Sequence, residues 1–278
     1  LVRTNHYTTG DMQRIEVGPH PWRSNSYGRF QRIAEMLEER RGVLTGNDVP
    51  RILGDCLDPF EQRKLLVGNT VAAPHNIQSL VVSPDDDALW LAHGELPVCH
   101  ADRFRGFRVS ALLDGDIDRC EIDDLPGAGQ FNETERAAMN EYEEAWSMHM
   151  DHLDSGRAVF HLRRAAELLP EEAVFPRMAG VLLLKDKEYA QALPLLLQNA
   201  AHDYRDLLLR AEAQVWAGRC LDLMGRRAES VSYYTVAAAF DAPPVSTAAA
   251  RHLEKPFTTR QLFDVTPEFM VGNALAKY

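Results

Sequence analysis

The strongest constraint on this chain lies after Glu133, where one pattern of small and apolar residues occurs three times. Ala158, Leu162 and Ala165 form the first set; 34 residues later stand Ala192, Leu196 and Asn199, and 38 residues beyond those come Ser230, Tyr234 and Ala237. Trp146, Gly180 and Gly218 each precede their set by 12 residues. Residues three and four apart share one face of a helix, so each set marks a buried stripe and each upstream residue a contact point on a preceding helix. Self-similarity at this period signals stacked helix pairs, because one pair alone leaves its apolar face in water and about three are needed for a continuous core. Pro170 and Pro243 close the first and third units.

This pattern resembles the tetratricopeptide repeat, in which a small residue on the first helix lets the second pack closely. The third unit, WAGRCLDLMGRRAESVSYYTVAAAFDAP, is the clearest; the first carries Trp146 where glycine or alanine is usual, and the second holds a four-residue insertion near His202 to Arg205. The tail from Thr247 to Tyr278 is expected to supply a closing helix. The bland alternative is a generic helical bundle. The resemblance implies a concave face that grips a peptide or helix with Asn, Lys and Arg side chains. Asn199, Arg210, Gln214 and Arg219 are the candidates for it.

Residues 1–112 have a different rhythm, that of an α+β unit. Phe30, Ile33, Ala34 and Leu37 recur at helical spacing between Ser26 and Arg41, with Gly42 placed to end the helix in the left-handed region. Asn47 or Asp48 can cap a shorter helix with Pro50 in its first turn, running to about Leu57. IQSLVVS (Ile77 to Ser83) and ALWLAH (Ala88 to His93), joined by Pro84 to Asp87, read as a hairpin, and RFRGFRV (Arg103 to Val109) as a further strand. Residues 113–132 read as an acidic linker ending in Pro-Gly-Ala-Gly, and residues 133–278 as the helical repeats. Asp114, Asp116 and Asp118 are spaced as in a calcium loop, but Arg119 and Leu125 stand where such loops need glycine and glutamate. No calcium is expected there.

Charge and cysteine usage narrow the function classes. A formal charge of −11, from 41 acidic and 30 basic residues, repels phosphate backbones and anionic lipid. No nucleic acid is expected as a partner. The longest apolar runs, Val181 to Leu184 and Leu193 to Leu197, fall far below the roughly 20 residues of a membrane span, so no membrane is expected either. Cys56, Cys99, Cys120 and Cys220 have no paired spacing, which fits reduced thiols and a cytoplasmic protein better than a disulfide framework or a zinc site. Cys56 beside Asp55 reads as a buried small hydrophobe. Cys99 and His100 adjoin on a strand and point to opposite faces; His93, at a strand end, reads as a structural hydrogen-bonder. No metal site, Gly-rich phosphate loop or Ser-His-Asp order stands out, and no cofactor is expected. The chain opens at Leu1 in what reads as the middle of a strand, LVRTNHY, without an initiator Met, and is expected to be a piece of a longer protein.

The order of the short motifs says more than any one of them. TNHY, then Ser26 to Arg29 (SxxR) opening an amphipathic helix, then ILGD at Ile52 to Asp55, then NIQSLVV and LWLAHGELPV, together resemble the C-terminal half of the catalytic domain of autoproteolytic Ntn hydrolases. The most similar family is that of acyl-coenzyme A:6-aminopenicillanic acid acyltransferase and its bacterial relatives. The resemblance covers Leu1 to about Val109. It implies part of an αββα sandwich, in which a precursor cleaves itself ahead of a cysteine whose new α-amino group serves as base for its own thiol. An acyl-thioester then passes its acyl group to an amine or to water, and the substrate is a small-molecule amide or an acyl-CoA-like compound. Such chemistry needs a fixed donor at the tetrahedral oxygen. Asn5, in TNH, matches the position where the family carries an asparagine in that role. Arg29 is implied to orient substrate or the neighbourhood of the nucleophile, or else to form a salt bridge at the helix start.

The nucleophile should be the first residue of the mature catalytic chain, yet Leu1 stands at that end and no cysteine here lies in a matching place. It is expected upstream of Leu1. Three readings follow from the sequence: an amide-bond hydrolase or acyltransferase of Ntn type fused to repeats, a non-catalytic interaction module based on the repeats, and a repeat-containing regulator without enzymatic ancestry.

Overall fold

A computed structural model of the chain describes Val2, Thr4, Asn5 and residues 20–94, 103–129 and 131–276, with the side chains of 20–23 and 275 left aside. His6 and Tyr7 of TNHY, Glu95 to Val98, and the pair Cys99 and His100 lie outside the described residues. The chain divides into two compact units: Leu1–Val17, Arg23–Pro59 and Arg63–Asn132 form one, and Gly18–Trp22, Phe60–Gln62 and Glu133–Tyr278 the other.

The first unit mixes helices with small antiparallel sheets. Helix α1 (His20–Glu39) begins earlier than its apolar spacing indicates, and Gly42 follows it at φ +79°. Thr45 and Asp48 bond reciprocally across a short 3₁₀ turn that Thr45 caps, and Asp48 is the N-cap of the helix that follows, as expected, though its side chain makes no cap bond to that helix. Helix α2 (Val49–Leu53) keeps Pro50 in its first turn but stops at Gly54. Leu57 therefore belongs to strand β1 (Leu57–Asp58), which pairs with β2 (Arg63–Lys64).

Strands β3 (Leu80–Ser83), β4 (Ala88–His93), β5 (Arg103–Arg108) and β6 (Glu121–Pro126) make one antiparallel sheet in that order. Between β5 and β6, helix α3 (Val109–Asp114) ends at Gly115, which takes a left-handed φ of +73°. On one sheet face Val81, Phe104 and Leu125 are buried, with Trp90, Ala92 and the α2 residues Val49 and Leu53 packed against them. Strand β6 corrects the expectation of a solvated linker over 113–132. Its acidic residues are held by the arginines of RFRGFR: Arg105 bonds Glu121, and Arg103 lies 3.5 Å from Asp124. Opposite charges facing each other across strands stabilise pairing, so the acidity serves the sheet.

The second unit is a row of antiparallel helix pairs: α4 (Glu133–Met150) with α5 (Ser155–Leu168), α6 (Val174–Lys185) with α7 (Tyr189–Ala200), and α8 (Leu207–Leu223) with α9 (Arg227–Ala238). All nine stripe residues of the three sets are fully buried. Asp154 and Asp206 cap α5 and α8 through their carboxylates. A Cβ at Gly180 would stand 2.6 Å from Leu196, and one at Gly218 2.7 Å from Tyr234. The glycines are where paired helices meet.

The closing helix is found only in part. After α10 (Val245–Glu254) and the short α11 (Thr259–Leu262), the chain turns into a hairpin of β7 (Thr266–Glu268) and β8 (Asn273–Leu275). This hairpin lies on the first helices of the pairs. The Tyr142 hydroxyl of α4 donates to the Phe269 carbonyl at 2.6 Å, Arg177 of α6 to the Gly272 carbonyl at 2.8 Å, and Asn273 donates to Glu212 of α8 at 2.7 Å. Gly272 turns at φ +59°, and the Glu268 carboxylate accepts from the Met270 N–H, two local devices that favour a tight turn over a continued helix.

Two stability predictions follow. Gly218→Leu wedges α8 from α9 against Tyr234 and should destabilise the second unit by about 3 kcal/mol or more; thermal melting followed by helical circular dichroism reads this, and an unchanged midpoint refutes it. His252 is buried against Tyr234 and Phe257, and burial, with Arg219 nearby, pushes its pKa from 6.5 down to about 4. The unfolded chain thus takes up the proton first, and the stability His252 contributes above pH 6.5 is lost as the pH falls towards 4. Urea unfolding at pH 7 and pH 5 should show a smaller pH-dependent loss in His252→Gln than in the parent.

Candidate functional site

In the first unit α1 places Asn25, Arg29 and Arg32 at positions i, i+4 and i+7, hence on one face. Asn25 is buried, and its Nδ2 donates to the Gly68 carbonyl at 2.8 Å. Its other end, Oδ1, accepts from Arg29 Nε at 3.0 Å. The guanidinium continues outward, with Nη2 donating to Asn5 Oδ1 at 2.6 Å. The two residues singled out by sequence, Asn5 and Arg29, are therefore brought together by a direct hydrogen bond. An amide offers one acceptor oxygen and one donor nitrogen. With the oxygen engaged by Arg29, the end of Asn5 left to donate is Nδ2.

The surroundings of this relay are set by Asp55, by Asp58 of β1 and by the loop between β2 and β3. Arg32 grips Asp55 of ILGD through two bonds, 2.9 and 3.1 Å, while the Asp55 oxygen Oδ1 also accepts from the Leu57 N–H and its carbonyl from the Ala72 N–H. Asp58 is fully buried and accepts from both the backbone and side-chain nitrogens of Asn69. A Cβ at Gly68 would approach Asp58 to 2.8 Å, so glycine is what lets the Asn25 acceptor come so close. The segment from Leu65 to Ala73 is mostly buried without regular secondary structure; Asn25 and Asp58 bond the Gly68 carbonyl and the Asn69 N–H, and the Leu65 and Ala72 N–H groups donate to the Cys56 and Asp55 carbonyls.

Burial lowers the pKa of Arg29, and burial together with the Arg29 charge lowers that of His75, whose Nδ1 is shielded from solvent. Both causes disfavour protonation of the His75 ring. Asn25, His75 and the Asp58–Asn69 pair were not singled out by sequence reasoning. Asn25 stands one turn before Arg29, a spacing that could have flagged it; His75 lies on an irregular loop and Asp58 on the two-residue strand β1, and no periodicity marks either.

Other candidates fall elsewhere. Ser26 is buried in α1, and His93 is exposed at the end of β4. Cys56 is buried with its thiol against the Gly54 carbonyl, Cys120 is buried against the Ile117 carbonyl, and burial pushes the Cys220 thiol up to about 12. A thiol so shifted is a poor nucleophile. Among the described residues, no group of three or more His, Cys, Asp or Glu is arranged to hold a metal ion, and no helix is long and apolar enough to cross a membrane. Of the residues expected on a peptide-gripping face, Asn199 is buried and bonded to Tyr204, Gln214 donates to the Ala200 carbonyl, Arg219 is buried, and Arg210 is exposed over the Phe240 ring.

No family model matches the sequence, and no curated protein does. Among solved structures, the N-terminal domain of stress-induced protein-1 (STI-1) from C. elegans is similar at 20% identity and a TM-score of 0.39, over 45% of this chain and 100% of that one.

Proposed function

We propose that the chain is part of an amide-bond hydrolase or acyltransferase of Ntn type, and that Asn5 is its oxyanion donor. The observation that carries this reading is the bonding of the Asn5 amide: Arg29 donates to Oδ1 at 2.6 Å, which leaves Nδ2 as the end that can donate to a substrate oxygen. In this reading the four-stranded sheet is one layer of an αββα sandwich. The nucleophile is an N-terminal cysteine of a segment preceding Leu1, and its thiolate attacks the acyl carbon of a small-molecule amide or acyl-CoA-like substrate. The carbonyl oxygen becomes an oxyanion that accepts a hydrogen bond from Asn5 Nδ2. Collapse of the tetrahedral intermediate breaks the bond to the leaving amine or thiol and leaves an acyl-thioester, which water or an amine then resolves. Arg29 acts through Asn5 as a positioning residue, itself fixed by Asn25.

A donor aligned before reaction costs no reorganisation in the transition state, which is why such groups act on turnover more than on binding. In the complete protein Asn5→Ala should lower kcat by roughly 100-fold or more with little change in KM, as steady-state kinetics on an acyl-thioester or amide substrate would read. Turnover equal to the parent refutes the assignment. Intact mass spectrometry of the full gene product tests the wider reading: a break directly before a cysteine supports it, and an uncut chain refutes it. Arg29→Gln removes the charge that helps depress His75, so the His75 pKa should rise towards 6.5, as NMR titration of its ring protons would report.

A further inference from the structure

The hairpin of β7 and β8 has little stability of its own. Its register pairs Thr266 with Leu275, Pro267 with Ala274 and Glu268 with Asn273, and an isolated two-stranded ribbon this short does not persist in water. Its order comes from the helices it lies on. Phe269 and Ala274 are buried, and the hydrogen bonds of Tyr142, Arg177 and Glu212 tie it to α4, α6 and α8. Just before the hairpin, Lys185 of α6 donates to the Leu262 carbonyl at 3.1 Å and the Phe263 carbonyl at 3.4 Å. That anchor holds the end of α11 independently of the hairpin contacts, so residues 266–275 can lift as a unit.

One titratable ring stands inside the contact. His149, in the last turn of α4, stacks on Phe269 with ring centroids 5.6 Å apart and planes 29° from parallel. Its Nδ1 is closed to solvent and has no hydrogen-bond partner. A neutral imidazole can leave that atom as a bare acceptor, but an imidazolium must carry an N–H there, and a buried N–H without an acceptor is costly. The charged groups on the packed elements do not repair this. The Glu268 carboxylate of the hairpin accepts from the Met270 N–H, and Arg177 of α6 is committed to the Gly272 carbonyl. Burial lowers the His149 pKa from 6.5 and outweighs Asp186, just after α6, which favours the charged ring. Once the hairpin lifts, the ring meets water and regains its ordinary pKa. The released state therefore takes up the proton first, so docking is at full strength above pH 6.5 and weakens as the pH falls below it.

We propose that the β7–β8 hairpin is a releasable strap over α4, α6 and α8, and that protonation of His149 releases it. Release uncovers the buried charges Arg177 and Glu212 on the face that stacked helix pairs offer to a peptide. The device lies wholly within the second unit and does not rest on the proposed acyl-transfer chemistry.

Hydrogen exchange of the full chain, read by mass spectrometry at pH 7 and pH 5 and corrected for the intrinsic pH dependence of amide exchange, tests it. The amides of residues 266–275 should lose protection by about threefold or more at pH 5, while those of α8 and α9 lose less. That comparison separates release of the strap from the general acid loss that His252 brings. His149→Phe keeps a ring against Phe269 but takes no proton, and should protect the hairpin equally at both pH values. Asp186→Asn changes an exposed side chain, removes the carboxylate that favours the charged ring, and should move release to lower pH. Equal hairpin protection in the parent at both pH values, a parallel loss in α8 and α9, release of the His149→Phe hairpin at pH 5 to the parent's extent, or unchanged release in Asp186→Asn would each overturn the proposal.

Discussion

The second unit depends on one close approach, that of α8 to α9 at Gly218. Because no side chain stands there, Tyr234 lies flat against the α8 backbone and its hydroxyl reaches Asp222 at 2.9 Å. Asp222 is wholly buried, a state that a carboxylate tolerates only when its oxygens are bonded. Here Tyr234, Ser230, Arg227 and the Phe257 N–H all donate to it. Two of these donors come from the partner helix α9 as side chains of the buried stripe, and the Phe257 N–H comes from the chain beyond α10. The glycine contact thus carries through a single buried anion to the position of Phe257.

What could be read from sequence follows from what sequence spacing encodes. A helical stripe is a local property, so Ala158 to Ala165, Ala192 to Asn199 and Ser230 to Ala237 announced their burial without any knowledge of partners. The same logic found the β3–β4 hairpin, where turn chemistry at Pro84 to Asp87 and β-forming residues agree. It failed where the deciding interaction is distant. Glu121 to Pro126 looks like a solvated acidic run until Arg103 and Arg105 are laid opposite it, and residues 266–275 look like a helical tail until Tyr142, Arg177 and Glu212 hold them as a hairpin. In the candidate site the relay from Gly68 through Asn25 and Arg29 to Asn5 spans three separate stretches of chain. Asn5 and Arg29 were singled out only through a resemblance to a family pattern; Asn25, which bonds to Arg29, had no such signal.

The relay also explains why an arginine serves at position 29. Its Nε and Nη2 donate in directions set by one rigid plane, so the orientation of Asn25 is passed to Asn5. A lysine could satisfy either amide but would not tie the orientation of one to the other. Partial burial of the guanidinium adds to this effect, since water competes less for both hydrogen bonds.

The C-terminal hairpin bears on how the repeats can meet a partner. Their first helices carry the buried charges Arg177 and Glu212, and the hairpin supplies a carbonyl to one and an amide donor to the other. It also buries Phe269, which packs on Tyr142 at 5.4 Å and stacks on His149 at 5.6 Å. A peptide seated on the same helices would first have to lift Phe269 and Ala274 into water and strip Arg177 and Glu212 of those partners. Exposing a buried aromatic ring costs about 2 to 3 kcal/mol, and each deprived buried charge several more. A short peptide binding with micromolar affinity has only about 8 kcal/mol in total, so it could not displace the hairpin and still bind at that strength. The face that a repeat array offers most readily to a peptide is, in this chain, already filled by the chain itself.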